Sequence, residues 1–362
     1  MEQKQQIVDD FRDKLSHTQT QWIGLQTRVL ICVFAFALTW NYNAWSQSTD
    51  SLVPMELRKP TFTVTQVEGI GWDPEYNRHD ASNIFMIDGK YHVYYTRFKF
   101  GNMQNFWKAV YLTEWNTEIW LAVSEDGIHW TEYGNVFPAQ EGAWYALGRH
   151  APFIVPYEGK YYMYFTAWSG SDEQERHMGV AVADTPAGPF RALQHAPLLS
   201  PTHKPGDFDG WIIDDPCVIR REGKFWMYYK GRPLGSNNSH KDSFIGLAFA
   251  DHPAGPFIRS EYGALAHGHT GGVWPHREGV ALMADNPPPD SFQLRYARDG
   301  IHFIDAGMVG QDLRDNGFYC PEALQDVEYG HGITWGLALQ RDKNKRHFLV
   351  RFDVDVSVET KD

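Results

Sequence analysis

The sequence has little of what marks several other protein classes. It contains three cysteines in 362 residues, and Cys32, Cys217 and Cys320 lack the close spacing of a metal site. No cluster of lysine and arginine offsets the net charge of −12, which argues against nucleic acid or an anionic membrane surface as a partner. Helical periodicity is weak after residue 60, and low-complexity segments are absent. Cys217 and Cys320 are predicted either to pair in an oxidising compartment or to be small buried residues.

A run of apolar residues long enough to span a bilayer is also missing. The run Val29–Leu38 is too short to do so and suits the core of a signal peptide, with Ala44-Trp45-Ser46 as a cleavage pattern. A buried or anchoring helix is the alternative. The sequence therefore predicts a signal or anchor segment over 1–46, a linker over 47–60 and a secreted or periplasmic protein.

Aromatic residues are abundant, with 14 tryptophans and 18 tyrosines. Their rings bind sugars readily, although they also fill β-sheet cores. Five tryptophans precede or begin predicted strands, where a platform for a sugar ring would lie, and core packing is the alternative for each. They are Trp72, Trp144, Trp168, Trp211 and Trp274.

From residue 78 onward the chain repeats one plan. Three strand pairs are joined by an acidic residue followed by glycine, the signal of a tight hairpin turn. These turns are Asp88-Gly89, Glu158-Gly159 and Glu222-Gly223. A second turn with an aromatic residue behind it closes four of the repeats, at 124–130, 183–190, 250–257 and 297–303.

Repeats of about 45–70 residues, each with roughly four strands, are typical of a β-propeller. We therefore predict an all-β, five-bladed propeller over 61–362, with a strand at Thr61–Gly71 closing the ring against the last blade. A β-sandwich is the alternative, but it does not explain the repeated turns. The predicted blades cover 79–138, 148–201, 213–266, 274–311 and 317–354.

Each predicted blade begins with a polar residue. The innermost strands of a propeller line its channel, so these residues should converge at one mouth. Two carboxylates about 6.5–9.5 Å apart are what inverting glycoside hydrolysis needs. The residues concerned are Asp80, His150, Asp215, His276, Glu278 and Glu322.

Asp80 and Asp215 are the strongest candidates. Asp80 directly precedes an apolar strand and suits a general base, with a turn-capping aspartate as the alternative. Asp215 precedes Pro216, which holds the strand entry extended, and would orient the base or tune an acid. Asp214 should face away from Asp215 and ranks lower.

The segment 267–282 contains three histidines, and histidine suits a general acid near neutral pH. His276 and Glu278 face the same side of an extended chain, although Glu278 alternatively pairs with Arg277. His267 and His269 are polar loop residues or metal ligands, but spacing fixes no third ligand. Two arginines, Arg149 and Arg232, are candidates to hold hydroxyls or a carboxylate, with a structural ion pair as the alternative.

The motifs around Asp80 (RHDAS) and Asp215 (IDDP), each ahead of an aromatic strand, together with the turn SEDGIHW, resemble glycoside hydrolase family 117. The resemblance covers about residues 68–354. The hairpin and SEDGIHW elements also occur in glycoside hydrolase family 43.

The resemblance implies an exo-acting, inverting enzyme that releases 3,6-anhydro-L-galactose from α-1,3-linked neoagaro-oligosaccharides. It implies that Asp80 is the general base, Asp215 the second acid and Glu278 the third, with His276 as an unusual general acid. It also implies a homodimer in relatives with a swapped N-terminal helix. A divalent cation occurs near the site of some relatives, but no motif here demands one, and no cofactor is expected.

Two other functions stay open. A family 43-like α-L-arabinofuranosidase or β-xylosidase would keep the fold and use Glu278 as the acid. A non-catalytic propeller would bind oligosaccharides without turnover.

Overall fold

The computed structural model describes residues 52–100, 117–168, 175–236, 240–285, 292–310, 313–314 and 316–356. The predicted signal segment over 1–46 lies outside these residues. Within them, regular structure is β-strand apart from short 3-10 turns such as Met55–Leu57. No helix in this described part has the length and apolar character needed to cross a membrane.

The strands form antiparallel groups that we number as blades in chain order. The strand β1 (Phe62–Gln66) comes first. Blade 1 contains β2 (Tyr76–His79), β3 (Phe85–Ile87), β4 (Lys90–Lys99), β5 (Glu118–Ser124) and β6 (Trp130–Asn135). Blade 2 contains β7 (Arg149–Tyr157), β8 (Lys160–Trp168), β9 (Arg176–Ala183) and β10 (Arg191–Ala192).

Blade 3 contains β11 (Ile212–Arg221), β12 (Lys224–Arg232), β13 (Phe244–Ala250), β14 (Ile258–Arg259) and β15 (Ala266–His267). A single parallel pair, Ile212 with Arg176, joins it to blade 2. Blade 4 contains β16 (His269–Arg277), β17 (Gly279–Asp285), β18 (Gln293–Ala297) and β19 (Ile304–Met308).

Blade 5 is completed from both ends of the described chain. It contains β20 (Gly317–Phe318), β22 (Trp335–Arg341) and β23 (His347–Val354), while β21 (Gly330–His331) pairs with β16 of blade 4. The strand β1 pairs with β23 along its whole length, which confirms the predicted ring closure. The all-β prediction is confirmed, and the five groups agree with a five-bladed propeller rather than a sandwich.

Of the predicted linker over 47–60, the structure describes residues 52–60, and part of this segment is packed against the strands. Leu57 is fully buried, and the backbone beside it lies against β19, where a Cβ added to Gly307 would be 2.4 Å from the Leu57 carbonyl oxygen. These residues belong to the compact unit that begins at Pro54. The segment before β1 therefore reaches blade 4, while β1 itself completes blade 5.

The hairpin turns have the conformation that their sequence predicts. Asp88 and Gly89 have φ of 50° and 75°, and Glu222 and Gly223 have φ of 54° and 75°. Positive φ at both central residues is the type I′ turn that matches the twist of the flanking strands. The turn at Glu158-Gly159 is the same, with φ of 49° and 76°.

The second repeated turn is stabilised by an aspartate. Oδ1 of Asp126 accepts the backbone N–H groups of Ile128 and His129, each at 2.8 Å. Oδ1 of Asp299 accepts the equivalent N–H groups of 301 and 302, each at 2.9 Å. The aromatic residue behind the first of these turns, Trp130, is buried. The repeat therefore reflects the same local structure in blades 1 and 4.

We expect Gly223→Ala to lower the free energy of unfolding by about 1 kcal/mol, because an L side chain is disfavoured at positive φ. An added Cβ at Gly223 has nothing within 4 Å, so the effect is conformational. Gly310 is equally open but does not have positive φ, so Gly310→Ala is the matched control. Denaturant unfolding of both variants tests the turn, and equal losses would contradict it.

Candidate active site

The first residues of all five inner strands meet around one cavity. Its wall includes Asp80, Ala151, Asp215, Gly271 and Asn316, one from the head of each blade. The cavity contains about 590 Å³ of empty space, including the part open to solvent. The predicted convergence of blade heads is therefore present, and it brings Asp80 and Asp215 together.

The head residues of three blades have a left-handed backbone, and in blades 2 and 3 they lie in a β-bulge. Asp80, Ala151 and Asp215 have φ of 52°, 49° and 51°, although none of them is glycine. A bulge leaves one residue without a partner and turns its side chain out of the regular alternation. Here it turns the head residue toward the axis. The register shifts lie between His150 and Phe153, between Asp214 and Cys217, and between His269 and Gly271.

The residue before each bulge is also polar and occupies an equivalent position in four blades. The positions are equivalent because each of these residues pairs with a residue near the end of the second strand of its blade. The pairs are His79 with Thr96, His150 with Thr166, Asp214 with Lys230, and His269 with Asp285. This second ring of polar residues supports the ring of head residues.

Asp80 is held by two neighbours through one oxygen. Oδ2 lies 2.6 Å from Nδ1 of His79 and accepts the Thr96 hydroxyl at 2.9 Å. Among the described residues these are its hydrogen-bonding partners, so Oδ1 is the oxygen left for a water molecule. Burial alone would raise the pKa of Asp80, but the His79 imidazole, with smaller help from His150, lowers it to about 2. Asp80 is therefore a carboxylate at neutral pH.

Asp215 is paired with a cation. Nζ of Lys230 lies 2.5 Å from its Oδ2, and the same Nζ lies 3.2 Å from Nε2 of His269. The backbone N–H of Asp215 donates to Oδ1 of Asp214 at 2.9 Å. Lys230 is almost fully buried. It therefore connects the Asp215 carboxylate of blade 3 to a histidine of blade 4.

Asp214, which the sequence ranks as a structural residue, is the centre of the buried ionic network. It is bound by Arg176, by Nε2 of His150 at 3.2 Å and by Lys230 at 3.2 Å. Burial would raise the pKa of Asp214, but Lys230, Arg176 and His150 hold it well below the usual range. Burial lowers the pKa of His150, and Asp214 opposes that shift. His150 therefore orients Asp214 and does not form part of the cavity wall.

The structure does not bring His276 and Glu278 to the cavity, so the prediction that they head blade 4 is wrong. Blade 4 begins at His269 rather than at residue 274. The cavity takes Gly271, Gly272 and Val273 from β16, and His276 lies about 10 Å further along the strand. Glu278 occupies the turn between β16 and β17.

The glycine pair at 271–272 explains why the sequence predicted a start of blade 4 at residue 274 rather than at His269. It suggests a flexible loop, yet both residues lie in β16. A Cβ on Gly272 would lie 2.0 Å from the ring of Phe318, so glycine is needed where blade 5 approaches blade 4. Of the three histidines, His269 is the one that contacts Lys230, the partner of Asp215, although it is not in the cavity wall. Nε2 of His267 lies 2.6 Å from the Lys241 carbonyl oxygen.

His276 is instead part of a separate cluster with the segment before β1. Its Nε2 lies 2.9 Å from Oε1 of Glu56, and Arg277 donates to both oxygens of that carboxylate at 2.8 and 2.9 Å. Burial lowers the pKa of His276, and Glu56 opposes that shift. Burial would raise the pKa of Glu56, but Arg277 and His276 lower it. The cluster ties the segment before β1 to blade 4.

Two of the predicted tryptophan platforms, Trp168 and Trp274, are core residues. Trp274 is fully buried, and Trp168 is buried and stacks on His150 with ring centroids 4.5 Å apart. Trp72 is 54% exposed and donates to Asp342 at 3.1 Å. Trp211 is half-buried. None of these four lies in the cavity wall.

The remaining predicted binding residues are structural. Arg149 donates to the Thr117 carbonyl at 3.1 Å, and Arg232 donates to the Ser243 hydroxyl at 2.9 Å. Glu322 lies 2.5 Å from Nδ1 of His331, outside the cavity wall. The sequence did not single out Lys230 or Asn316. Oδ1 of Asn316 is buried without a hydrogen-bond partner among the described residues.

Cys217 and Cys320 are free thiols, and both contribute to the cavity wall. Burial raises the pKa of each to about 12, so neither is a nucleophile at neutral pH. The prediction of small buried residues describes Cys217. Within the described residues, no group of three or more His, Cys, Asp or Glu is arranged to hold a metal ion.

Comparison with known proteins places this fold among glycoside hydrolases. The model of the glycosyl hydrolases family 43 matches residues 108–216. A curated relative, Xylosidase/arabinosidase 43A of Humicola insolens, is 32% identical over 102 residues, which is 28% of this chain and 27% of that protein. The chain thus covers about a quarter of that relative's length.

Solved structures match over most of the chain. Zg3597, a family 117 glycoside hydrolase of Zobellia galactanivorans, is 28% identical with a TM-score of 0.72, covering 85% of this chain and 93% of that one. The GH43_1 enzyme of Xanthomonas citri, solved with xylotriose, is 15% identical with a TM-score of 0.54, covering 79% and 90%; it shows the fold alone. Together these findings support a glycoside hydrolase of the family 117 or family 43 type.

We expect Glu56→Gln to lower the free energy of unfolding by about 1–3 kcal/mol at pH 7, because it removes charge-assisted hydrogen bonds to His276 and Arg277. In the folded protein burial would raise the pKa of Glu56, but the hydrogen bonds from Arg277 and His276 hold it below its ordinary value of 4.5. Its contribution is therefore present above that pH and is lost as the pH falls through the folded value. The difference from wild type should shrink on acidification, as denaturant unfolding at two pH values would show.

The matched control is Glu125→Gln. Glu125 pairs with Lys90 at 3.4 Å, with side chains 78% and 52% exposed, so the change should stay below about 0.5 kcal/mol. Equal effects of the two substitutions would contradict a structural role for the Glu56 cluster.

Proposed function

We propose that this chain, a relative of the family 117 glycoside hydrolases on a fold shared with family 43, is an exo-acting, inverting glycoside hydrolase. Its proposed reaction removes α-1,3-linked 3,6-anhydro-L-galactose from neoagaro-oligosaccharides. The observation that carries the proposal is the placement of Asp80 and Asp215, both with positive φ, in the wall of one cavity. The likeness to Zg3597 over most of both chains favours the family 117 type.

Asp80 is the proposed general base. Its Oδ2 is held by His79 and Thr96, so Oδ1 is available to accept a proton from the attacking water. Two fixed contacts on one oxygen orient the carboxylate before substrate arrives, which is what a water-activating group requires. Its low pKa keeps it ionised across the working pH range, so the acidic limb of the activity profile belongs to another group.

His269 is the proposed proton donor to the leaving oxygen, in place of His276. It stands directly before the bulge of blade 4. Its Nε2 accepts from the Lys230 ammonium that also binds Asp215, so Nδ1 is the nitrogen that delivers the proton in this proposal. The distance of His276 and Glu278 along β16 from the cavity favours His269 over them for this role. Asp215 then acts as a fixed anion beside the sugar and supports the positive charge that develops on the ring.

The shape of the cavity supports removal of a terminal sugar. Five blade heads surround it, so a chain end fits more readily than the middle of a long polysaccharide. Apolar side chains from three blades line part of the wall, namely Phe153, Val273 and Phe318. These suit the apolar face of a sugar ring.

A family 43-like activity on arabinofuranosides or xylosides is the second candidate. The match of the family 43 model and the likeness to Xylosidase/arabinosidase 43A favour it. The use of Glu278 as the acid is not retained, because Glu278 lies in the turn at the far end of β16. A screen of neoagarobiose against aryl arabinofuranosides and xylosides separates the two activities. Sugar binding without turnover of any of them would favour the non-catalytic alternative.

We expect Asp80→Asn to reduce kcat on neoagarobiose by about 10²–10⁴-fold, because the amide cannot accept the proton of the attacking water. NMR of the first product anomer should show inverted configuration. Retention of configuration, or full activity of the variant, would contradict the mechanism.

We expect His269→Ala to lose a similar factor on the natural leaving group and much less on an activated aryl glycoside of the same sugar, which needs little protonation. His276→Ala is the control, with reduced stability but kcat per folded molecule close to wild type. A selective loss in His276→Ala instead would restore the original assignment.

A further inference from the structure

The two head carboxylates have different supports at one equivalent position. On the second strand of blade 1 this position is Thr96, whose hydroxyl donates to Asp80 at 2.9 Å. On the second strand of blade 3 it is Lys230, whose ammonium lies 2.5 Å from Asp215. One aspartate is therefore supported by a neutral donor and the other by a cation.

Lys230 has little freedom to do anything else. Its side chain is 2% exposed, and its Nζ lies within 3.2 Å of Asp214, Asp215 and the His269 ring. An ammonium has three donors and no acceptor, and these three contacts match them. A buried ammonium between two carboxylates favours the ionised form of both.

We infer that Lys230 is a positioning residue that keeps Asp215 a carboxylate and thereby divides the roles of the two aspartates in the proposed hydrolase. A carboxylate that holds no proton cannot protonate the leaving oxygen. That proton must then come from another group, and on the blade 4 side this is Nδ1 of His269, because Nε2 of that ring accepts from the Lys230 ammonium. The inference rests on the proposed function for its catalytic meaning, but the ionisation of Asp215 is measurable without a substrate.

Other charged groups face this pair and would respond to the same change. On the neighbouring strands these are Asp214, Arg176, His150 and His269, and Asp80 lies across the cavity. Arg176 and His150 still compensate Asp214 when Lys230 is removed. Asp215 loses the ammonium that lies 2.5 Å from its Oδ2, so its carboxyl is expected to bind a proton at a higher pH than in the wild type.

The test replaces Lys230 with the residue that blade 1 uses. Lys230→Thr removes the cation, Lys230→Arg retains it, and Lys224→Thr is the matched control. Lys224 lies on the same strand but pairs with Asp251 at the surface. In Lys230→Thr the acidic limb of the pH profile of kcat/KM should move to higher pH by about one unit or more. Lys230→Arg should restore the limb, and Lys224→Thr should leave it unchanged.

A second measurement does not need turnover. Infrared difference spectra across an acid titration should show a protonated-carboxyl band at higher pH in Lys230→Thr than in wild type. The band should be absent from the double variant Lys230→Thr with Asp215→Asn. An unchanged band would overturn the inference even if the enzyme is active, whereas a shifted band in a protein that hydrolyses none of the substrates would overturn the proposed function alone.

Discussion

The left-handed bulge at the head of the inner strand is the constraint on which the site depends. In a regular strand, side chains alternate between the two faces of the sheet. The bulge interrupts that alternation, so that Asp215 turns to the cavity while Asp214 stays in the blade. Ala151 lies in the same kind of bulge, and Asp80 shares its positive φ. Non-glycine residues at positive φ are disfavoured, so the packed neighbours must hold them there.

That geometry brings charged side chains together in a region that little water reaches. The ionic network compensates the free-energy cost of burying them. Asp214 is 1% exposed, and an isolated carboxylate with that burial would take up a proton. Arg176, His150 and Lys230 surround it from three directions. These partners come from three strands of two adjacent blades. The network therefore fixes the charge of the acids and also fastens blades 2 and 3 around the cavity.

The sequence predicted the parts of this site that lie in short repeated motifs. Asp80 and Asp215 each precede an aromatic strand in the same repeated motif, and that motif indicates where a blade starts. The bulge itself leaves no such signal. Counting outward from the Glu222-Gly223 turn pairs Lys230 with Asp215, whereas the inserted residue makes Asp214 its partner. The histidine assignment failed because the glycine pair 271–272 serves the close approach of Phe318, a contact between strands distant in sequence.

The blades repeat one backbone plan, but the side chains around the cavity differ from blade to blade. These differences set the chemical character of the site. The position opposite the bulge is Thr96, Thr166, Lys230 and Asp285 in successive blades. Exchanging a hydroxyl for an ammonium there changes the character of the neighbouring acid without altering the backbone. Structures that share only the fold, at 15% identity, carry no information about these residues. The charge of the cavity acids on this scaffold is therefore set by a few buried partners behind the cavity wall, one strand removed from the residues that line it.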